Sequence, residues 1–167
     1  MGDAIGPSDG RLVLLVDYDV DSRRRARNLL ELRGMEVVQA ANGMAALELV
    51  QRLPRSFRLV VTDLDLPGIP GPVVVETLRI FRPDLPVLCM SATRAAAGSV
   101  GVKPCLSKPL QDGELETMLE ERANGWELEG LLRVSDDLAA RVRARFEVAG
   151  DLVEAALELY RGADLGE

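Results

Sequence analysis

The chain contains no histidine, only two cysteines and few aromatic residues. Without histidine it lacks the commonest general base, the usual ligand of catalytic zinc and any phosphohistidine donor of its own. The cysteines, Cys89 and Cys105, stand in separate apolar segments, which is typical of buried reduced thiols and matches no metal or redox motif. With aromatic residues at 4% of the chain, the core must consist mainly of Leu, Val and Ala.

Long hydrophobic runs are also missing. No run approaches the roughly 20 residues of a membrane-spanning helix, and the first ten residues, MGDAIGPSDG, lack the basic and apolar regions of a signal peptide. We therefore expect a cytoplasmic protein that does not contact the membrane, with residues 1–10 as a disordered N-terminal segment. The net charge of −7 argues against a protein whose main role is to bind nucleic acid phosphates.

Apolar runs alternate with amphipathic segments along residues 11–124. Continuous apolar runs predict strands at 12–16, 36–40, 57–63, 85–92 and 103–108. Helical periodicity follows the first, second, third and fifth of these strands, with a start signal at Asp21–Ser22 and stop signals at Gly34 and Pro54. This alternation predicts an α/β fold in which helices cover both faces of a five-stranded parallel sheet.

Polar side chains directly follow four of the predicted strands. Asp17 ends the first, Asp63 the third, Ser91 the fourth and Lys108 the fifth. Because ligands of open parallel sheets bind at the carboxyl ends of the strands, we expect these four residues to form a site.

The motifs that contain these residues resemble the receiver domain of two-component response regulators. They are VDYD at 16–19, TDLDLPGIPG at 62–71, MSA at 90–92 and SKP at 107–109. Their order and their positions after strands carry the resemblance, which covers residues 11–124, the predicted receiver domain. It implies a flavodoxin-like, doubly wound sheet of strand order 2-1-3-4-5, which brings Asp17 beside Asp63.

The resemblance implies a role for each matching residue. Asp63 would accept a phosphoryl group from a partner histidine kinase or phosphotransfer protein, Ser91 would bond that group, and Lys108 would pair with its oxygens. Mg²⁺ would be held by Asp17, by Asp63 and by the backbone carbonyl of Asp65. The residue types suit this chemistry, because a lysine and a hard divalent cation neutralise the charge that gathers on phosphoryl oxygens. Lacking histidine, the chain would receive phosphoryl groups without relaying them.

Three features depart from the family pattern. Tyr18 occupies the position of a second acidic residue, and a neutral phenol is a poor magnesium ligand, so we expect a weakened Mg²⁺ site. The side chain of Asp19 or Asp65 would compensate for the missing acidic ligand only through water. In the alternative interpretation, Tyr18 merely packs over the rim of the pocket. Cys105 stands where many receivers carry an aromatic switch residue. Residues 93–102 are fewer than the family commonly uses there, leaving room for a turn of helix or a loop.

Residues 125–167 form a predicted C-terminal helical extension. The apolar stripes of its two helices are Leu138, Val142, Phe146 and Ala149, then Leu152, Ala156, Leu159 and Tyr160. Some forty residues are too few for an independent core, so these helices would dock on the receiver, pair with a second chain as a homodimer, or bind a downstream protein. Acidic residues outnumber basic ones here, which argues against a DNA-binding output. The basic residues at 141–145 and 23–27 are predicted to be solvated.

Three functions stay open. The first, which we adopt, is a response regulator that is controlled by phosphorylation, acts through protein contacts and is not an enzyme. The second is a pseudo-receiver, a binding module that keeps the fold without the chemistry. The third is a phosphatase of the haloacid-dehalogenase type, suggested by TDLDLP but disfavoured by Pro67 and by the motif's position on the third strand.

Overall fold

The computed structural model describes residues 12–53, 56–92, 105–121, 135–146 and 151–162. The strands are β1 (Leu12–Val16), β2 (Glu36–Ala40), β3 (Phe57–Asp63), β4 (Val87–Ser91) and β5 (Cys105–Ser107). The helices are α1 (Val20–Leu32), α2 (Gly43–Arg52), α3 (Gly71–Phe81), α4 (Asp112–Glu121), α5 (Asp136–Phe146) and α6 (Leu152–Gly162). The expected disordered segment 1–10, the connection 93–102 and Ala149 lie outside the described residues.

The five strands form one parallel sheet of order β2-β1-β3-β4-β5, which confirms the predicted flavodoxin-like topology. Val16 pairs with Thr62, Asp63 with Met90, and Ser91 with Ser107. The strands β1, β3, β4 and β5 therefore end at one carboxyl edge of the sheet. Every residue of β1 and β4 is buried, as expected of strands covered on both faces.

Local signals in the sequence determine where the helices and strands begin and end. Some of the observed bounds differ slightly from the predicted ones. Helix α1 begins at Val20, earlier than the Asp21–Ser22 signal, because the Asp19 carboxylate caps it by accepting the backbone N–H of Ser22 at 2.8 Å. Gly34 follows the helix with a φ of 78°, a left-handed conformation that favours glycine. The strand β4 is shorter than the predicted run 85–92, and β5 ends at Ser107, one residue before the end of the predicted run 103–108, of which residues 103 and 104 lie outside the described residues.

The core lies in two layers, one on each face of the sheet. On one face, β-strand side chains pack with α1 and α4; on the other, they pack with α2, α3 and α6. Leucine, valine and alanine dominate both clusters, as the composition predicts. Within the described ranges, no helix is long and apolar enough to cross a membrane.

Helices α5 and α6 form an antiparallel pair, the C-terminal hairpin, because Gly162 at the end of α6 lies against Leu138 near the start of α5. The hairpin packs on α2 and α3. One apolar cluster joins α3 to the hairpin through Ile80, Val142, Phe146, Ala155 and Leu159. These helices therefore dock on the sheet-containing part of the chain, the first of their three predicted uses; pairing with a second chain and binding of a downstream protein stay predictions.

Docking of the hairpin buries α3 on its outer side as well as on its sheet side. Each residue from Val73 to Leu78 is buried, including Glu76, which pairs with Arg79. Arg143 of the hairpin is exposed, as predicted together with Arg141 and Arg145, and it also donates a hydrogen bond to the carbonyl of Ile80 at 2.9 Å.

Candidate functional site

The four polar residues predicted at the strand ends are brought together at the carboxyl edge. The Nζ of Lys108 lies 2.5 Å from Oδ2 of Asp63 and 3.1 Å from Oδ2 of Asp17. Asp17, Asp63 and Ser91 are buried, with 0%, 3% and 3% of their surface exposed. Ser91 is held beside the lysine by its carbonyl, which accepts the Lys108 backbone N–H at 3.0 Å. The bond between Lys108 and Pro109 is cis.

The loop after β3 fixes the position of Asp63. Its Oδ1 accepts the backbone N–H of Asp65 at 2.9 Å. Helix α3 then starts so close to the strand end that a Cβ on Gly71 would lie 2.4 Å from the carbonyl oxygen of Asp63 and 2.6 Å from the Cα of Leu64. Only glycine fits there, because any other residue would push the helix away from the strand.

The charges of the site perturb one another. Burial raises the pKa of Asp63, and the neighbouring Asp17 carboxylate acts in the same direction, whereas the hydrogen bonds from Lys108 and Asp65 lower it. Burial alone would lower the pKa of Lys108, but its bonds to Asp63 and Asp17 outweigh burial and raise it. Lys108 therefore stays a cation at neutral pH.

Asp17 has further partners that the sequence analysis missed. Its Oδ2 accepts the Ser22 hydroxyl at 2.5 Å, its Oδ1 accepts the Asp19 backbone N–H at 2.9 Å, and its carbonyl accepts the Arg23 guanidinium at 2.7 Å. The position of Ser22 in the sequence could have predicted its contact with Asp17. Helical side chains tilt toward the helix N-terminus, so a serine in the first turn after a strand end points back at that end.

Arg24 and Arg25 are exposed, as predicted for residues 23–27, whereas Arg23 is half-buried, and Arg23 and Arg25 also bond backbone carbonyls. Arg23 binds the Asp17 carbonyl, as noted, and the Nε of Arg25 donates to the carbonyl of Leu110 at 3.2 Å. These bonds tie α1 to the ends of β1 and β5, which frame the site. No sequence pattern marks the bond from Arg25, since it joins residues 85 positions apart in the chain.

The remaining oxygen donors lie outside the pocket interior. The side chain of Asp65 is exposed, Tyr18 is 64% exposed, and the Asp19 carboxylate is used as the α1 cap. Among the residues that the structure describes, no group of three or more acidic or cysteine side chains is placed to hold a metal ion. Two buried carboxylates are nevertheless hard oxygen donors of the kind that Mg²⁺ prefers, so the residues fit that cation as a two-carboxylate site.

The two cysteines lie next to each other behind the site. Cys89 and Cys105 are paired in the register of β4 and β5, and both are free thiols. Burial raises the pKa of Cys89, and burial together with nearby acidic groups raises the pKa of Cys105 to about 11. Both are therefore protonated at neutral pH and act as small apolar residues.

An open groove of about 780 Å³ adjoins the pocket. It lies between the first turns of α1 and the Lys108–Pro109 turn, and Ser22, Arg24 and Arg25 contribute to its wall. A molecule in this groove would approach Lys108 from the side of α1.

Comparison with known proteins identifies the family. A model of the response regulator receiver domain matches residues 13–120. A Haemophilus influenzae protein, the transcriptional regulatory protein CpxR homolog, is 36% identical over 110 residues, which are 62% of this chain and 46% of that protein. The chain thus spans less than half the length of this curated relative.

Solved structures give the same result. The chemotaxis protein CheY4 of Vibrio cholerae is 25% identical and superposes with a TM-score of 0.57, covering 66% of this chain and 97% of that one. TrrA of Thermotoga maritima, solved in complex with Mg(2+)-BeF, has 24% identity, a TM-score of 0.57 and the same coverage. Two-thirds of the chain thus has the receiver fold, and the chain belongs to the response regulator receiver domain family.

Proposed function

We propose that the protein is a response regulator that accepts a phosphoryl group on Asp63 from the phosphohistidine of a histidine kinase or phosphotransfer protein. The observation that carries the proposal is the 2.5 Å contact of the Lys108 ammonium with Asp63 at the carboxyl edge of the sheet. A cation in that position can stabilise the negative charge that a transferred phosphoryl group brings. The second buried carboxylate, Asp17, lies on the other side of the same lysine.

The transfer can be assigned to residues of this chain. A carboxylate oxygen of Asp63 attacks phosphorus, an O–P bond forms, the N–P bond of the donor breaks, and its electron pair returns to the donor imidazole. Lys108 neutralises the phosphoryl oxygens, and the buried Ser91 hydroxyl is the group proposed to bond one of them. When bound, Mg²⁺ would neutralise part of the same charge, held by Asp17, Asp63 and the carbonyl of Asp65.

The surroundings of the site support a protein partner. The groove beside α1 opens toward Lys108 and gives an incoming imidazole a path, which the chain needs because it has no histidine. The C-terminal hairpin covers α2 and α3 and leaves this groove open. A downstream target bound through residues 125–167, homodimerisation, and a cytoplasmic location stay predictions.

The proposal is tested by intact-mass measurement after incubation with a small phosphodonor and Mg²⁺. We expect a mass increase of one phosphoryl group in the wild type and in Asp65→Asn, and none in Asp63→Asn. Asp65 is the matched control, because its carboxylate is two residues away and exposed. A missing adduct in the wild type, or an adduct that persists in Asp63→Asn, would contradict the assignment.

A pseudo-receiver is the second candidate, supported by the exposure of Tyr18 and by the internal hydrogen bonds of Asp17. It predicts neither an adduct nor magnesium binding in the test above. Neither the family match nor the site supports a phosphatase of the haloacid-dehalogenase type.

A further inference from the structure

The Asp17 carboxylate is saturated by donors from its own chain. Oδ1 faces the Asp19 N–H at 2.9 Å and the Lys108 Nζ at 3.2 Å, and Oδ2 faces the Ser22 hydroxyl at 2.5 Å and the Lys108 Nζ at 3.1 Å. An ionised carboxyl group has about four lone-pair positions, and these contacts engage both oxygens twice. Asp17 is also fully buried, so water does not compete for it. A cation can bind this group only by displacing one of the donors.

Among the three donors, Ser22 is the one that can leave at least cost. The Asp19 N–H belongs to the backbone at the start of α1, and its direction is fixed by the helix. Lys108 is bonded to Asp63 as well, so its withdrawal would leave a second buried carboxylate without a cation. Ser22 contributes a neutral hydroxyl that turns about a single side-chain torsion, and it borders the open groove.

We propose that Ser22 is a positioning residue that orients Asp17 in the cation-free pocket and, by competing for Oδ2, sets how weakly Mg²⁺ binds. The inference rests on the proposed function, because it concerns the same acceptor site. It adds a second cause for a weak magnesium site. Tyr18 stands in place of a second acidic residue that would have been a ligand of the cation. Ser22, in contrast, occupies a lone pair of Asp17, a ligand that the chain retains.

Removing the hydroxyl should therefore tighten magnesium binding. In a variant without it, one lone pair of a buried carboxylate is left unsatisfied, and Mg²⁺ recovers that interaction on binding. A hydrogen bond to a charged group is of a size that corresponds to about a tenfold change in the dissociation constant. A merely structural role for Ser22 would lower stability without changing the affinity for Mg²⁺.

The experiment is a calorimetric Mg²⁺ titration of the full chain and its Ser22 variants, without a phosphodonor. Ser22→Val and Ser22→Thr form a matched pair of nearly equal shape, of which only the threonine keeps the hydroxyl. We expect Ser22→Val and Ser22→Ala to bind Mg²⁺ about tenfold more tightly than the wild type. Ser22→Thr should retain the wild-type affinity.

Equal or weaker binding by Ser22→Val and Ser22→Ala, or no binding by any variant, would overturn the inference. Thermal unfolding with and without Mg²⁺ shows whether each variant folds, and the stabilisation by Mg²⁺ should be larger for Ser22→Ala than for the wild type. The phosphoryl-adduct measurement separates the two proposals. If the wild type forms no phosphoryl adduct but the variants show the expected order of Mg²⁺ affinities, the proposed function alone is contradicted. If the adduct forms but the Ser22 variants bind Mg²⁺ as the wild type does, the role of Ser22 alone is contradicted.

Discussion

Truncation of Leu159 to alanine tests whether the C-terminal hairpin shares one cooperative unit with the receiver. Leu159 of α6 is fully buried in the cluster that joins α3 to the hairpin. The substitution removes three carbon atoms, which corresponds to about 2.4 kcal/mol at about 0.8 kcal/mol for each buried group. Because the cavity left behind adds to this cost, we expect the free energy of unfolding to fall by about 3–4 kcal/mol.

Urea unfolding followed by circular dichroism at 222 nm measures this change. With a slope of about 2 kcal/mol per molar urea, the midpoint should fall by about 1.5–2 M. Leu30→Ala, at an equally buried site of α1 on the opposite face, should give a shift of similar size in the same single transition. Leu32→Ala, at an 82% exposed site of the same helix, should change stability by less than about 0.5 kcal/mol.

A hairpin that unfolds by itself would refute this reasoning. Leu159→Ala would then affect only a small, early change in the circular dichroism signal that reports the hairpin. The midpoint of the main transition would match that of the wild type. Such a result would mean that the packing of α6 on α3 contributes little to the stability of the sheet.

Three further predictions concern the site. Lys108→Met leaves the buried Asp63 carboxylate without its cation, so the pKa of Asp63 rises further; we expect a loss of about 3–5 kcal/mol at neutral pH that lessens as pH falls through that raised value, measured as unfolding temperature from pH 8 to 5. Gly71→Ala forces a Cβ to within 2.4 Å of the Asp63 carbonyl oxygen and should cost about 1–3 kcal/mol in urea unfolding, whereas Gly113→Ala, with open space around its Cβ, should be neutral or stabilising by up to about 1 kcal/mol. Cys105, with a pKa of about 11, should be alkylated by iodoacetamide about 100-fold more slowly at pH 8 than a thiol of pKa 9, and a rate equal to that of an exposed thiol would contradict its partial burial.

The sequence predicted the sheet and the site because both depend on local patterns. Short apolar runs located the strands, and each run ended at the residue that the structure places at the carboxyl edge. The meeting of Asp17, Asp63 and Lys108 then followed from parallel topology, since strand ends that share an edge bring their next side chains together.

The interactions that escaped prediction join residues through helix geometry or over long separations. The bond of Ser22 to Asp17 requires knowing that α1 begins at Val20, one residue before the start signal in the sequence. The bond of Arg143 to Ile80 requires knowing which face of the sheet the C-terminal helices cover. Periodicity located the apolar stripes of those helices, but a stripe does not identify the surface on which it packs.

The C-terminal hairpin covers α3, and this packing affects where the chain can be truncated. The match to the family model ends at residue 120, and a chain cut just after it would keep the five described strands and the acceptor site. It would also bare the outer side of α3, where Ile80 and Phe81 pack against the hairpin. Uncovered apolar side chains of this kind favour self-association. We therefore expect the shortened chain to aggregate or dimerise through α3. A fragment defined only by the family match would then not reproduce the behaviour of the full chain.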